Sequence, residues 1–396
     1  MLLVFMALSI QAMSSRQAVE AVKAAISNAP ASPTAPAAPA VTNVVVAETA
    51  PVSVPISDAI SVGTFVRPAI AIANDGSVFV AAEGSSMQSV YLYTFLRGSA
   101  KWAGGVIARC ERGGLVNTSR VYVPDVVVDR GGWVFVFMRC GPKEWGVLHG
   151  PAVYVRAPTG SGQWQFLGMT TGAARADIDD GNPGTVYLLS KDGAWGAVSR
   201  QAVIERKGTF PGAGRTGEKF DFDIVGSRWY TAMNGYSAMP AAFGWGFENA
   251  GSRATWAAHA AYPGQGDDLC YPSVCADLNV PGRVYIASVF SGRLRVQVMV
   301  DGKPQFPIDN LADLGEATME DRCPPRLVCT SKGVVAIWKN GNDIQAVIVS
   351  RALAGKAKPV RICAGSFPAA AVDAAGKINI VYISGGALRI KTMEAF

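Results

Sequence analysis

The feature that most constrains how this chain can fold is a phrase that it repeats. Pro124–Phe137 (PDVVVDRGGWVFVF) reads as a β-run, a tight Asp-Arg-Gly-Gly turn and a second β-run. Loosely spelled copies return about every fifty residues, at Pro68–Val80, Ala176–Leu189, Phe220–Ala232, Pro272–Ala287, Pro324–Ile337 and Pro368–Tyr382. That makes seven copies of one hairpin. A lone hairpin has no second layer to cover its apolar face, so tandem copies must pack on one another. Alternation is blurred in the first run of each copy, as expected for strands buried on both faces. Pro68, Pro124, Pro272, Pro324 and Pro368 open those runs, where no ladder donor is needed. Asn/Asp-Gly turns then close the hairpins.

Each full repeat continues into four strands. In the second copy these are Asp125–Val128, Trp133–Met138, Ala152–Arg156 and Trp164–Gly168. The last copy has room for three, Ala369–Val372, Lys377–Tyr382 and Ala387–Met393, before the sequence stops at Phe396. A strand at Asn43–Ala47 is expected to supply the fourth. The predicted fold is all-β, a seven-bladed β-propeller of four-stranded blades, its ring closed by an N-terminal strand that removes the exposed edges.

Upstream of the repeats, Met1–Ser14 (MLLVFMALSIQAMS) is apolar and shorter than a membrane span, which reads as a signal peptide although it lacks a basic start. Residues 15–40 read as a short amphipathic helix followed by a Pro/Ala linker (APASPTAPAAPA), and residues 41–396 as the propeller. Export to the periplasm, the cell surface or the medium is therefore expected. With 49% hydrophobic and 17% charged residues the chain can fill large cores. A net charge of +6 without any basic run argues against nucleic acid and is compatible with an anionic carbohydrate partner. The seven cysteines form no CxxC pair, which argues against a zinc cluster. In an exported chain Cys270–Cys275 and Cys323–Cys329 are candidate disulfides, with buried free thiols as the other reading.

The D-x-x-G-x-V-hydrophobic hairpin, repeated over about Val41–Phe396, resembles the sialidase-like and BNR-type propellers, a superfamily of sialidases, polysaccharide lyases and lectins. The Asp-box of true sialidases, Ser-x-Asp-x-Gly-x-x-Trp, is absent here, as are WD dipeptides. No motif places an arginine triad with a Tyr/Glu pair. The resemblance implies lyases acting on uronic-acid polysaccharides as the nearest enzymatic relatives, with His or Tyr acting beside Arg.

In a propeller the residues at the start of the inner strands gather at one channel mouth. Here they include Arg67, Arg120, Tyr122, Arg175, Lys219, Asp268, Tyr271, Glu320 and Arg322, a set suited to a carboxylate- or sulfate-bearing sugar. Equally, Arg and Asp could pair across the channel and do no more. The inserted loop Arg139–Gly150 (RCGPKEWGVLHG) adds Arg139, Trp145 and His149. A lyase needs a base for the proton α to a uronate carboxyl, a cation for the developing enolate, and an acid for the leaving oxygen. His149 or Tyr122 could serve as base or acid, Arg139, Arg175 or Arg322 as the cation, and Trp145 as a stacking face. Asp268 with Glu320 would instead suit hydrolysis. Trp102, Trp164 and Trp256 in fourth strands suit a non-catalytic lectin, and an extracellular protein-interaction scaffold is a further reading. No cofactor and no metal are called for.

Overall fold

The computed structural model describes residues 54–55, 65–84, 88–109, 120–141, 150–166, 174–179, 185–190, 194–209, 216–226, 228–235, 242–247, 255–257, 271–306, 311–320 and 323–395. All belong to the unit Ala50–Phe396. The segments expected as a signal peptide, helix and linker, and the strand at Asn43–Ala47, lie outside the described residues.

The described chain is nearly all β. One short strand, β1 (Val54–Pro55), comes first. Sheet one then follows as β2 (Phe65–Ile72), β3 (Val78–Gly84), β4 (Ser89–Phe95) and β5 (Ala103–Arg109). Sheet two is β6 (Arg120–Val128), β7 (Val134–Gly141), β8 (Gly150–Arg156) and β9 (Gly162–Phe166). Sheet three is β10 (Ala174–Ile178), β11 (Val186–Ser190), β12 (Ala194–Val198) and β13 (Ile204–Thr209). Sheet four is β14 (Thr216–Val225), β15 (Arg228–Gly235), β16 (Ala242–Phe247) and β17 (Thr255–Ala257). Sheet five is β18 (Ser273–Ala276), β19 (Arg283–Phe290) and β20 (Arg293–Val300), with β21 (Lys303–Pro304) and β22 (Ala312–Glu316) sharing the outer edge of β20. Sheet six is β23 (Arg326–Thr330), β24 (Gly333–Asn340), β25 (Asp343–Ile348) and β26 (Val360–Ala364), with the short helix α1 (Val349–Leu353) before its last strand. Sheet seven is β27 (Ser366–Val372), β28 (Ile378–Ser384) and β29 (Ala387–Met393).

Each sheet is an antiparallel meander, and all seven repeated hairpins form the first pair of a sheet. The outer edge of β29 is taken by β1, with Val54 opposite Ile390 and Pro55 opposite Arg389. This described partner lies downstream of Asn43–Ala47. The fourth strand of sheet two begins at Gly162 rather than Trp164.

Seven apolar clusters hold the sheets together, one per seam. They join sheets one and two, two and three, three and four, four and five, five and six, six and seven, and seven and one. Val136, Val153, Ala287, Ile337 and Val381 are among the side chains withdrawn entirely from solvent. Each such aliphatic side chain contributes about 1.5–3 kcal/mol on burial, so the seams carry the stability. Polar strings run along the same seams. A side chain on one inner strand accepts the backbone N–H of the next position on the following inner strand. Thus Ala176 N–H donates to Asp125 (3.1 Å), Ile224 N–H to Asp177 (2.7 Å) and Gly226 N–H to Asp179 (2.7 Å). Val274 N–H donates to Asp221 (2.8 Å), Ala276 N–H to Asp223 (2.5 Å) and Leu327 N–H to Ser273 (3.3 Å). The acceptors fall two residues apart because alternate side chains of a strand share a face.

Two sequence expectations are corrected. Cys323 and Cys329 are free thiols, and so is Cys275. Cys323 lies before β23 and Cys329 near its far end, so an extended strand holds them far beyond disulfide reach. The proline that opens β23 in step with the other repeats is Pro325, not Pro324, since Arg326 occupies the place of Asp125.

Candidate functional site

The inner strands all run the same way, so their first residues collect at one end of the assembly and their closing turns at the other. The turns fix the alignment between sheets. Ala73, Asp129 and Asp373 begin the same turn, donating N–H to the carbonyls of Ser77, Trp133 and Lys377, and Asp277 begins a turn two residues longer, donating to Arg283. Counting back four residues, and using the seam bonds for sheets three, four and six, gives one equivalent position per sheet. It is filled by Ala69, Asp125, Arg175, Asp221, Ser273, Arg326 and Ala369. Two acids and two cations thus share one layer. Asp221 feels Arg175, Arg326 and Asp125 directly, and burial, opposed by Arg175, holds its carboxyl above the usual carboxylate range.

Asp125 and Arg326 line a cavity of 280 Å³ between the inner strands, together with Asp177 and the backbones of β2, β6, β10 and β27. Arg326 Nε is buried and has no hydrogen-bond partner among the described residues. A buried N–H of this kind costs free energy until an acceptor reaches it. Nothing in a one-residue reading of the sequence marks Arg326, Asp125 or Asp221. Aligning the repeats on their turns and reading back four places would have found all three.

Just outside this layer lie the residues that precede the inner strands. Arg67 is buried, sits at φ 49°, and pairs with the fully buried Glu83 at 2.5 Å. Phe367 occupies the same place in sheet seven at φ 52°. Both precede a proline, and the ladder slips beside each, between Val66 and Ala69 and between Ser366 and Ala369. Such bulges re-aim the side chain at a strand's entry. Glu320 is buried, binds Lys339 Nζ at 2.9 Å and accepts Phe367 N–H at 2.5 Å. It therefore ties sheet six to sheet seven, and burial, opposed by those two donors, raises its carboxyl. The Cys323 thiol is pushed up to about 12, first by burial, with Glu320 adding to the rise and Arg326, Arg175 and Arg67 opposing it.

Of the residues expected at the mouth, the structure therefore gathers Arg67, Arg175 and Glu320 around Cys323. Tyr271 is half-buried just ahead of β18. Arg120 and Tyr122 in β6, Arg139 in β7 and Lys219 in β14 are placed by their backbones near the same end of their strands. Trp145, His149, Asp268 and Arg322 lie outside the described residues. Trp102 packs on Phe95 with centroids 5.4 Å apart, while the side chains of Trp164 and Trp256 are not among those described.

A girdle of inner strands around a polar channel, with meandering sheets stacked outward, defines a β-propeller. Comparison with solved structures bears this out. A catalytically inactive virginiamycin B lyase from Staphylococcus aureus, solved with quinupristin, is 9% identical, with 87% of this chain and 98% of that one covered at a TM-score of 0.52. An ancestral GH74 enzyme is 13% identical over 87% of this chain at a TM-score of 0.53, and the match spans 51% of that enzyme. Likeness at these identities carries the fold. No family model and no curated protein matches the sequence.

Proposed function

We propose that the chain is an exported, seven-bladed propeller, closed by β1 on β29, that recognises an anionic carbohydrate at the mouth where the inner strands begin. The observation that carries this reading is Arg326, which lines the 280 Å³ cavity and whose buried Nε–H has no acceptor among the described residues. A uronate carboxylate entering from the mouth would supply that acceptor, and Arg175, charged in the same layer, would add a second cation. The cavity sits near the lower bound of small-molecule sites, about 300 Å³, which suits one sugar residue of a chain held at its end or threaded at the mouth.

As an enzyme, the chain would be a polysaccharide lyase. Tyr122 or His149 would take the proton α to the carboxyl, arginine would hold the enolate, and the β C–O bond would break as its oxygen is protonated. The balance of two arginines against Asp125 and Asp221 in the channel layer favours a second reading, binding without cleavage. The test is to mix the full chain with uronate-containing and sulfated polysaccharides and follow ultraviolet absorbance of unsaturated uronates, with reducing ends assayed in parallel. Absorbance that rises and is lost in Tyr122→Phe or His149→Ala supports the lyase. New reducing ends without absorbance move the reading to hydrolysis. Retention on a glycan, weakened by Arg326→Ala, without either signal supports the lectin. No retention on any member of the panel overturns the carbohydrate reading.

A further inference from the structure

The end opposite the mouth, where the first and third strands of each sheet finish, has its own surface chemistry. Among the described residues four large apolar side chains are exposed, Leu96, Val203 and Leu278 in turns and Val360 opening β26, all at this end. Two of them line pockets at seams. Leu96 belongs to a 300 Å³ pocket between sheets one and two, and Val203 to a 590 Å³ pocket between sheets two and three.

Each pocket also holds an arginine that leans back onto the preceding sheet. Arg156, at the end of β8, donates from Nη1 to the buried Thr94 Oγ1 at 2.7 Å. Arg200, in the turn after β12, donates from Nε to Asp129 Oδ2 at 2.7 Å, and its guanidinium stands 5.5 Å over the Trp133 ring. Asp129 is itself fixed, since its Oδ1 accepts Gly131 N–H (2.7 Å) and Trp133 N–H (3.0 Å). Gly131 gives Arg200 its seat, because a Cβ there would come within 2.3 Å of Nη2. Among the described residues Asp129 is the acceptor that Arg200 uses, and it engages Nε alone. The outer edge of the fork faces solvent on a side chain that is 45% exposed. Exposed Arg130 stands in the Leu96 pocket beside Arg156.

We infer that these two pockets form a docking surface for an acidic protein segment, each guanidinium taking a carboxylate side chain while Leu96 and Val203 take its aliphatic neighbours. A guanidinium anchored on one side and stacked on an indole is pre-organised for bidentate carboxylate binding. The exposed neighbours are aliphatic; Phe79 and Phe135, which line the two pockets, are buried, and the Trp133 ring carries Arg200, so among the described residues a sugar would find no open ring to stack on. The surface is independent of the channel, and it stands whether or not the mouth binds a glycan.

The test uses the full chain and a fluorescent random copolymer of L-glutamate and L-leucine, followed by anisotropy. Polygalacturonate and phosphatidylglycerol vesicles are the competing probes. The copolymer is expected to bind, and the Arg156→Ala/Arg200→Ala pair to weaken it by about tenfold or more, the loss of roughly one fully engaged ion pair. Both arginines also join sheets, so a second variant, Leu96→Ser/Val203→Ser, alters only exposed groups and is expected to weaken binding several-fold in a folded protein. Arg326→Ala is expected to leave it unchanged. Copolymer binding that ignores both end-face variants, absence of copolymer binding, or end-face-dependent capture of polygalacturonate or vesicles instead would each overturn the proposal.

Discussion

Asp221 offers the sharpest test of how the channel layer is charged. Its carboxyl sits above the usual carboxylate range because burial outweighs the attraction of Arg175 and Arg326. A carboxyl raised on folding contributes stability that is complete below its unfolded value, about pH 4, and is lost as the pH rises through the folded value. At neutral pH the side chain therefore costs about 1.4 kcal/mol for each unit of that rise. Asp221→Asn keeps an oxygen for Val274 N–H, which donates at 2.8 Å, and removes the titration. It is expected to match the parent protein near pH 4 and to exceed it in stability by neutral pH. Asp221→Ala leaves the Val274 N–H without its acceptor inside the seam and is expected to fall about 1–3 kcal/mol below Asn at both pH values. Urea unfolding at two pH values for the three proteins measures all of this. An Asn variant less stable than the parent at neutral pH, by a margin that shrinks on acidification, would refute the reasoning. It would mean that the arginines outweigh burial and that the girdle works as a true ion network.

Further expectations follow from the same packing. Cys323, with its thiol pushed up to about 12 by burial, is expected to resist iodoacetamide at pH 8 in the folded protein and to react once urea is added, as read by mass spectrometry. Arg67→Ala takes away the cation from the fully buried Glu83 and is expected to cost about 3–5 kcal/mol in urea unfolding, where Arg67→Lys recovers part. Trp338→Ala, at the largest fully buried side chain of the seam between sheets five and six, is expected to cost about 3–5 kcal/mol and to free Glu316 from the indole N–H. Gly104→Ala would bring a Cβ to 2.3 Å from the Leu92 carbonyl oxygen, so the β4–β5 pairing is expected to loosen, visible as faster amide exchange in those two strands.

Much of the architecture was legible because it is written seven times. The inner hairpins came out at the right places, since an Asp-Gly turn between two β-runs is a local signal that needs no distant partner. The edges were harder. Sheets three and four lack the opening proline, and sheet five divides its fourth strand between β21 and β22, which no local pattern announces. Chain direction alone sends strand starts to one end, which is why Arg67, Arg175 and Glu320 can be grouped near Cys323 from sequence. What they do there was not readable. Glu320 is spent on Lys339 and the Phe367 N–H, a cross-sheet arrangement that depends on three-dimensional register. Arg326 was passed over for Arg322 because the Pro324-Pro325 pair hides the phase of that repeat by one residue.

The seam bonds also give the succession of sheets a sense of direction. At every stitched seam the acceptor side chain belongs to the earlier sheet and the donor N–H to the later one, at the next position along. Sheets one and seven break this rule by carrying alanines, Ala69 and Ala71, Ala369 and Ala371, where sheets two, three and four carry Asp125, Asp177, and Asp221 with Asp223. Those alanine joints can slide and breathe without stranding a buried carboxylate. Local opening is thus expected to be easiest near the place where β1 clasps β29, which amide exchange would read. The carboxylate-stitched arc from sheet two to sheet five is expected to exchange more slowly, and it is this arc that presents one of the two end-face pockets and three of the four charged groups of the channel layer.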